Sequence, residues 1–288
     1  MKLPIVRKTF GIIEGAHPSI FKGIGQDFAE FGQYQPGDNI KNIDWKATAK
    51  TGALVLKQFQ ADSNTNLSFI LDSGREMVTR SSSGERKIDV VRTVCNTFGY
   101  LSSMRYDAVG VLAGDQDKIM VERAKLSFVE VSDMLNKVEK ISTVNAPNRS
   151  FSKVLVYANE HFNKRTFIVL VFDETTAFHV QAQFINLIRK LKARHDVFAV
   201  SIQTLNPFKP ELPKSNGLII DIKNRQHLPA FFRTTQIEST TKKNIQMNRK
   251  KLAFELQRAG VPHISTSGSK DFFKKLTRIM TRREVAKL

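Results

Sequence analysis

The sequence contains a single cysteine, Cys95, so the chain cannot form an internal disulfide. One free thiol is typical of a protein from a reducing compartment. No run of about 18 apolar residues is present, and a helix that spans a bilayer needs at least that length. Residues 1–10 carry charge on both sides of a very short apolar patch, which does not predict a secretory signal. These absences predict a cytoplasmic protein.

The motifs of common enzyme classes are also missing. No G-x-x-x-x-G-K-[ST] run occurs, and Gly23-Ile24-Gly25 lacks both a third glycine and a preceding strand, so no phosphate cradle is predicted. G-x-S-x-G is absent, and the S-x-x-K matches at 150–153 and 239–242 have no companion motifs. The six histidines are scattered without H-E-x-x-H spacing, so no zinc site is predicted. The sequence therefore predicts a protein that is not an enzyme.

Hydrophobic residues make up 41% of the chain and include 21 phenylalanines, enough for a sizeable core. From residue 66 onward, short apolar runs alternate with segments whose apolar residues recur every three or four positions. This alternation predicts an α/β domain with a doubly wound, Rossmann-like, mostly parallel sheet and helices on both faces. Strands are predicted at 66–72, 107–113, 166–172, 197–202 and 218–222, and helices around 88–101, 128–141, 151–162, 180–191, 245–256 and 272–279.

The first 65 residues have a different character. They show no clear helical period and are rich in glycine and turn signals, which predicts a small β-rich N-terminal extension of short strands and loops. One strand is predicted at 53–59. We therefore expect two regions, a β-rich segment at 1–65 and the α/β domain at 66–288.

Two aspartates follow apolar runs of the predicted sheet, Asp72 and Asp173. Because the carboxyl ends of parallel strands meet at the same edge of a sheet, we expect both carboxylates at one rim. With hydroxyls from Ser73 and from the loop at Ser150, they could hold Mg²⁺, which prefers hard oxygen ligands. The alternative is that the two aspartates cap the helices that follow them or pair with Arg75 and with lysines.

A dense group of glycines, carboxylates and aromatic residues lies between residues 23 and 59. Its members are Gly23, Gly25, Asp27, Phe28, Glu30, Tyr34, Pro36, Gly37, Asp38, Ile43, Asp44, Trp45, Lys46, Thr48, Ala49, Lys50, Thr51, Gly52 and Phe59. Together with the strand that runs to Asp72 and with Met77, this block resembles the bacterial "domain of unknown function 58" family. The resemblance is sharp over residues 23–77, and the rest of the chain is similar to a general von Willebrand factor A pattern.

The resemblance implies a von Willebrand A-like core with a metal-ion-dependent adhesion site: D-x-S-x-S after the first strand, a threonine in a later loop and an aspartate after a central strand. It also implies a protein without established enzymatic activity that works with a MoxR-type AAA+ ATPase in the assembly or activation of other proteins. Gly74 and Glu76 replace both serines here, so the implied site is degenerate. Its candidate Mg²⁺ ligands are Asp72, Ser73, Glu76, Ser150 and Asp173.

Trp45 is the only tryptophan, and it stands between Asp44 and Lys46. An indole between charges usually anchors one layer of structure on another, so we favour a structural, buried position for Trp45 over a recognition role. Asp27, Asp38 and Asp44 are expected to hold the glycine-rich turns by hydrogen bonds from backbone N–H groups.

The formal charge of +18 is concentrated at one end of the chain, since residues 201–288 carry 18 basic and 6 acidic side chains. Such a surface could contact nucleic-acid phosphates or anionic lipid, and the latter would place the protein at the periphery of the inner membrane. Alternatively, the apolar stripe of the last helix covers the sheet and its charges face water or an acidic partner. The candidate basic surface consists of Lys242, Lys243, Arg249, Lys250, Lys251, Lys274, Lys275, Arg278, Arg282 and Arg283.

Hypotheses from different functional classes follow. The first is a non-enzymatic protein–protein interaction module that acts with a MoxR-type AAA+ ATPase on an unidentified client protein. The second is binding of nucleic acid or an anionic membrane through residues 201–288, which predicts a steep loss of affinity with salt. A metal-dependent hydrolase that uses Asp72 and Asp173 is a third alternative.

Overall fold

The computed structural model of this chain describes residues 28–33, 43, 45–59, 66–103, 108–114, 119–125, 128–142, 151–179, 181–206, 219–221, 226–228 and 235–285. The chain divides into two compact units, one within His17–Thr65 and one that contains Asn66–Leu288. A two-stranded sheet belongs to the smaller unit, and a six-stranded sheet belongs to the larger unit.

The smaller unit pairs β1 (Phe28–Gln33) with β2 (Val55–Phe59) in antiparallel fashion. Between them lies helix α1 (Trp45–Thr51), where the sequence predicts only strands and loops. The helix was missed because seven residues are too few to show a helical period. Gly52 follows α1 with a φ of 71°, a left-handed conformation that glycine adopts without steric cost, and its N–H donates to the carbonyl of Thr48.

Trp45 does not have the buried position that we expected. Its side chain is 65% exposed, and α1 buries none of its residues. The side chains three and four positions further on are Thr48 and Ala49, so the helix offers the indole no large apolar partner on its own face. Within this unit Trp45 therefore anchors no second layer, and its role as an anchor stays a prediction.

The sheet of the larger unit consists of β3 (Asn66–Asp72), β4 (Val109–Gly114), β5 (Ile119–Lys125), β6 (Thr166–Asp173), β7 (Asp196–Ile202) and β10 (His263–Thr266). Their order is β10-β7-β6-β3-β4-β5, and all neighbours are parallel except β4 and β5. The predicted strand at 218–222 instead belongs to a separate hairpin of β8 (Ile219–Asp221) and β9 (Gln226–Leu228). β5 and β10 were not predicted, because β5 is interrupted by charged residues and β10 has four residues.

The helices of this unit are α2 (Lys87–Ser103), α3 (Phe128–Ile141), α4 (Phe151–His161), α5 (Glu174–His179), α6 (Gln181–Arg194), α7 (Thr235–Arg258) and α8 (Ser269–Val285). On one face of the sheet, the ring of Phe98 in α2 packs against Phe198 of β7 and Phe272 of α8. On the other face, α4, α6 and α7 share one apolar core with the strands. The predicted doubly wound α/β architecture is confirmed.

β6 shows why these strands are continuous apolar runs. Every residue of its sequence TFIVLVFD is buried, because helices cover both faces of the sheet. Leu170 and Phe172 belong to the core beneath α4, α6 and α7, whereas Phe167 contacts Phe98 on the opposite face. Full burial of a side chain of this size contributes about 1.5–3 kcal/mol to stability. The residues at the carboxyl edge are therefore attached to a well-packed, buried sheet.

The strand order reverses between β3 and β6. From β3 the chain continues outward to β4 and β5, and from β6 it continues in the other direction to β7 and β10. In open α/β sheets, ligands bind at this kind of reversal, outside the carboxyl ends of the strands. Asp72 ends β3 and Asp173 ends β6. We refer to residues 72–86, 173–176 and 203–206 as the carboxyl-edge rim.

Candidate functional site

Asp72 is buried at the end of β3, with 3% of the residue exposed, and its carboxylate accepts several internal hydrogen bonds. The N–H of Gly74 donates to Oδ1 at 3.0 Å, which closes the turn after the strand. The hydroxyl of Thr176 donates to Oδ2 at 2.6 Å, and the N–H of Asp173 approaches the same oxygen at 3.4 Å. Asp72 thus joins the ends of the two central strands.

Asp173 lies beside it and caps helix α5. Its Oδ1 accepts hydrogen bonds from the N–H of Thr175 at 2.8 Å and from the Thr175 hydroxyl. Capping by an aspartate oxygen satisfies an N–H at the start of a helix that has no partner within the helix. Its Oδ2 accepts from the hydroxyl of Thr204 at 2.8 Å and from the ammonium of Lys87.

Lys87 is the first residue of α2, and its side chain is fully buried. The ammonium donates to three oxygens: Oδ2 of Asp173, the hydroxyl of Thr204 at 2.8 Å and the backbone carbonyl of Glu76 at 3.1 Å. A lysine has three N–H donors, so this set of acceptors satisfies the whole group. The acceptors lie at the end of β6 and in the segments after β7 and β3, and Lys87 therefore holds three parts of the rim together.

Glu174, the next residue after Asp173, is also completely buried. Its carboxylate forms a two-pronged pair with Arg249 of α7, with N–O distances of 2.6 and 2.8 Å, and accepts the N–H of Thr204 at 2.9 Å. Paired guanidinium and carboxylate groups of this geometry are among the stronger hydrogen-bonded contacts in proteins. This pair attaches α7 to the rim.

The loop after β3 continues across the carboxyl ends of β7 and β10. The N–H of Ser82 donates to the carbonyl of Gln203, and the N–H of Ser83 donates to the carbonyl of Ser267. Ser83 packs closely against Gly268: a Cβ added at Gly268 would lie 2.2 Å from the Ser83 hydroxyl oxygen. The loop and the start of α8 are therefore fitted together without space for a side chain at position 268.

Asp72 and Asp173 lie side by side at one rim, as predicted. Asp173 caps a helix and pairs with a lysine, which is the alternative to metal binding that the sequence left open. The hydroxyl of Ser73 donates to the carbonyl of Gly114 at 2.6 Å, and Glu76 contributes its backbone carbonyl to Lys87. Ser150 lies outside the described residues. Metal binding through these side chains stays a prediction.

The oxygens around Asp173 suit an ammonium better than Mg²⁺. Mg²⁺ requires near-octahedral oxygen coordination at about 2.0–2.1 Å, and the Lys87 ammonium already bonds to Asp173 and to the Thr204 hydroxyl. Within the described part of the chain, no group of three or more histidine, cysteine, aspartate or glutamate side chains could hold a metal ion. The donor set as it stands does not fit a divalent cation.

One serine and one histidine are hydrogen-bonded elsewhere in the sheet, with Oγ of Ser201 and Nε2 of His263 2.8 Å apart. Ser201 is completely buried within β7, where a substrate cannot reach it. Burial and the nearby charge of Lys275 lower the pKa of His263 to about 4, which makes it a weak base. This contact joins two strands and does not have the properties of a nucleophile and its base. Cys95 is likewise buried, and burial raises the pKa of its thiol.

The basic residues of the last 88 positions separate into two groups. Arg249 and Lys275 were predicted on the basic surface, but Arg249 pairs with buried Glu174 and Lys275 pairs with Asp271 at 2.7 Å. Lys242, Lys243, Lys250 and Lys251 of α7 and Lys274 and Arg278 of α8 are exposed. The side chains of Arg282 and Arg283 lie outside the description. Phe272 and Leu276 of α8 are buried, so its apolar stripe does cover the sheet, as one alternative predicted.

The upstream motif is only partly described. Lys46 of α1 is exposed. The other predicted motif residues apart from Trp45 lie outside the described residues, namely Asp27, Tyr34, Pro36, Gly37, Asp38 and Asp44.

Sequence reasoning missed the cations of the rim. One signal in the sequence could have identified Glu174 as a rim residue, since it follows Asp173 directly after a buried strand. Lys87 and Arg249 had none, because nothing in the sequence distinguishes them from the other members of a set of 45 lysines and arginines.

The strand order, the antiparallel edge strand and the polar rim at the strand-order reversal define a doubly wound, Rossmann-like α/β domain. The model of the family "Protein of unknown function DUF58" matches residues 30–228, more than half of the chain. The chain belongs to this family. None of the described helices is both long enough and apolar enough to cross a bilayer.

An uncharacterized protein of Mycobacterium tuberculosis is 20% identical over 283 residues, which cover 98% of this chain and 87% of that protein. An aerotolerance-related membrane protein from Bacteroides fragilis has a similar structure, with a TM-score of 0.48 and 11% identity over 78% of this chain and 100% of the other. A von Willebrand factor type A structure from Catenulispora acidiphila has a TM-score of 0.35 and 10% identity, covering 48% of this chain and 33% of the other.

Proposed function

We propose that this chain is a non-enzymatic protein–protein interaction module and that the carboxyl-edge rim is the surface that it presents. The observation that supports this is the state of Asp72, Asp173 and Glu174, which are buried and bonded to groups of the chain itself. A general acid or base must come within hydrogen-bond reach of its substrate, and buried carboxylates of this kind cannot. The rim exposes Val78 and Arg80 instead.

The partner that we propose is a MoxR-type AAA+ ATPase, with which the chain would assemble or activate a client protein. Membership of the family supports this partner, because the resemblance of residues 23–77 implies it. Asp72, Lys87 and Glu174 tie the rim to the sheet, as a docking surface for a protein partner would require.

Affinity purification from the native cell at low salt tests the proposal. We expect wild-type protein to recover a MoxR-type ATPase, and Val78→Asp on the rim to lose it. Val121→Asp is the matched control, because Val121 is also an exposed valine, 44% against 36% for Val78, but lies on the edge strand β5. Recovery of no such ATPase by the wild-type protein, or equal recovery by both variants, would contradict the proposal.

Helix α7 favours a second candidate function, binding of nucleic acid or anionic membrane. Lys243, Met247, Lys250 and Phe254 recur along one side of the helix, and all four are exposed. Cationic residues interspersed with exposed apolar ones are typical of helices that lie on anionic surfaces.

The second candidate is tested with DNA, RNA and anionic vesicles over a range of salt concentrations. Lys243→Glu with Lys250→Glu should reduce binding and flatten its salt dependence, whereas Lys190→Glu, an exposed lysine of α6, should change it less. If no probe binds at low ionic strength, this function is excluded. Cell fractionation separates the two candidates further: the first predicts a cytoplasmic protein, and membrane binding predicts a peripheral protein that salt releases.

A further inference from the structure

Lys87 occupies a cage of oxygens at the point where the strand order reverses. Its ammonium is fully buried and bonded to a carboxylate, a hydroxyl and a backbone carbonyl, from Asp173, Thr204 and Glu76. These oxygens lie at or just after the carboxyl ends of three different strands. Carboxylate, hydroxyl and carbonyl oxygens that converge in this way are also the ligand types that hard metal ions take.

The balance of charges in the rim supports the same interpretation. Asp72, Asp173 and Glu174 are three buried carboxylates, and Lys87 and Arg249 are the cations bonded to two of them. Asp72 receives hydrogen bonds from the hydroxyl of Thr176 and the N–H of Gly74. Buried charges need such compensation, and side chains of the chain supply it here.

We propose that Lys87 is the built-in cation of this rim and takes the place of the Mg²⁺ that the family resemblance implies for Asp72 and Asp173. The rim is then assembled without a metal, and the positive charge of Lys87 excludes a divalent ion by electrostatic repulsion. Removal of the Lys87 side chain opens the oxygen cage, and a hydrated divalent ion can enter. This inference rests on the geometry of the rim and does not depend on the partner proposed above.

Direct metal binding to the wild-type chain is the first test. Mn²⁺ titrated into the full chain and followed by electron paramagnetic resonance should show no stoichiometric site. The melting temperature should be the same in EDTA and in MgCl₂ at matched ionic strength. A single Mn²⁺ bound by wild-type protein and lost in Asp173→Asn would overturn the proposal without the need for any Lys87 variant.

Two substitutions at Lys87 provide the second test. Both Lys87→Ala and Lys87→Met should lower the melting temperature by about 10 °C in EDTA, because each leaves Asp173 buried without its cation. Mg²⁺ or Mn²⁺ should restore several degrees to Lys87→Ala, in which space has opened, and none to Lys87→Met, whose side chain fills that space. KCl at matched ionic strength should restore neither.

If Lys87→Ala is folded and gains no Mn²⁺ site, or if both variants gain one equally, the ammonium is not a substitute for a metal and the proposal fails. If Lys87→Ala does not fold in EDTA, purification in MnCl₂ provides the same comparison, since metal should then rescue Lys87→Ala and leave Lys87→Met unaffected.

Discussion

The ammonium of Lys87 and the carboxylate of Asp173 form an ion pair in which neither side chain is exposed to solvent. The two residues lie 86 positions apart, so the pair fixes the start of α2 to the end of β6. Burial makes each charge costly to desolvate, and the hydroxyl of Thr204 offsets part of that cost by bonding to both partners. The fold tolerates the pair because every donor of Lys87 has an acceptor.

Loss of one partner should be costly. Lys87→Met should lower the free energy of unfolding by about 3–5 kcal/mol, because the Asp173 carboxylate would remain buried without its cation. Lys137→Met is the control, since the Lys137 side chain is 55% exposed in its pair with Glu122, unlike that of Lys87, and its loss should change stability by about 0–1 kcal/mol. Urea denaturation followed by circular dichroism measures both. Equal losses of unfolding free energy in the two variants would show that the buried pair does not stabilise the fold more than the control pair does.

Arg249 should be important for the attachment of α7. Arg249→Met leaves the buried carboxylate of Glu174 with the N–H of Thr204 but without a cation, so we expect a loss of about 3 kcal/mol and faster proteolysis within α7. Arg258→Met on the same helix is the matched control, because Arg258 is exposed and pairs with Glu255 at 3.5 Å. Limited proteolysis with mass spectrometry locates the cuts. Cleavage of both variants at the same rate would contradict this role.

Position 268 should accept only glycine while Ser83 is present. Gly268→Ala would place a Cβ 2.2 Å from Oγ and 3.0 Å from Cβ of Ser83, and such overpacking costs about 1–3 kcal/mol. Addition of Ser83→Gly should recover most of this loss, because it removes the two nearest of the three contacting atoms and leaves Oε2 of Glu85 at 3.2 Å. Thermal denaturation of the two single variants and of the double variant gives the coupling free energy between positions 83 and 268. If the stability losses of the two single variants simply add up in the double variant, residues 83 and 268 are not in steric conflict.

His263 should make the fold sensitive to acid. Its folded pKa of about 4 lies below its ordinary value of 6.5, because the half-buried ring is desolvated and Lys275 adds a repelling charge. Above pH 6.5 the ring is neutral in both states. As the pH falls from 6.5 to 4, the unfolded chain takes up a proton that the folded chain does not, and this removes about 3 kcal/mol of stability in total.

The variant His263→Gln tests this assignment, since glutamine does not titrate and can still hydrogen-bond to Ser201. The unfolding free energy of the variant should fall less than that of the wild type between pH 6.5 and 4. His161→Gln, which removes an exposed histidine, should leave the wild-type slope intact. If the unfolding free energy of His263→Gln falls with pH as steeply as that of the wild type, the acid sensitivity belongs to other groups.

Local patterns in the sequence determined most of the fold. The apolar run of β6 and the helical spacing of Phe128–Ile141 are properties of neighbouring residues, and both elements form where predicted. The positions of Asp72 and Asp173 after adjacent parallel strands were also sufficient to place both at one rim. The short helix α1 and the four-residue strand β10 were missed, because elements of that length have too few residues for a period to be visible.

Only the tertiary structure decided what surrounds the two aspartates. Sequence patterns report which residue types recur at fixed spacings, but the choice of partner for a buried carboxylate depends on segments that are distant in the chain. Lys87 and Arg249 lie 86 and 75 positions from the carboxylates that they meet, and packing brings them there. An acidic rim that resembles a metal site in the sequence therefore contains its own cations in the folded protein, the fully buried Lys87 and the partly buried Arg249.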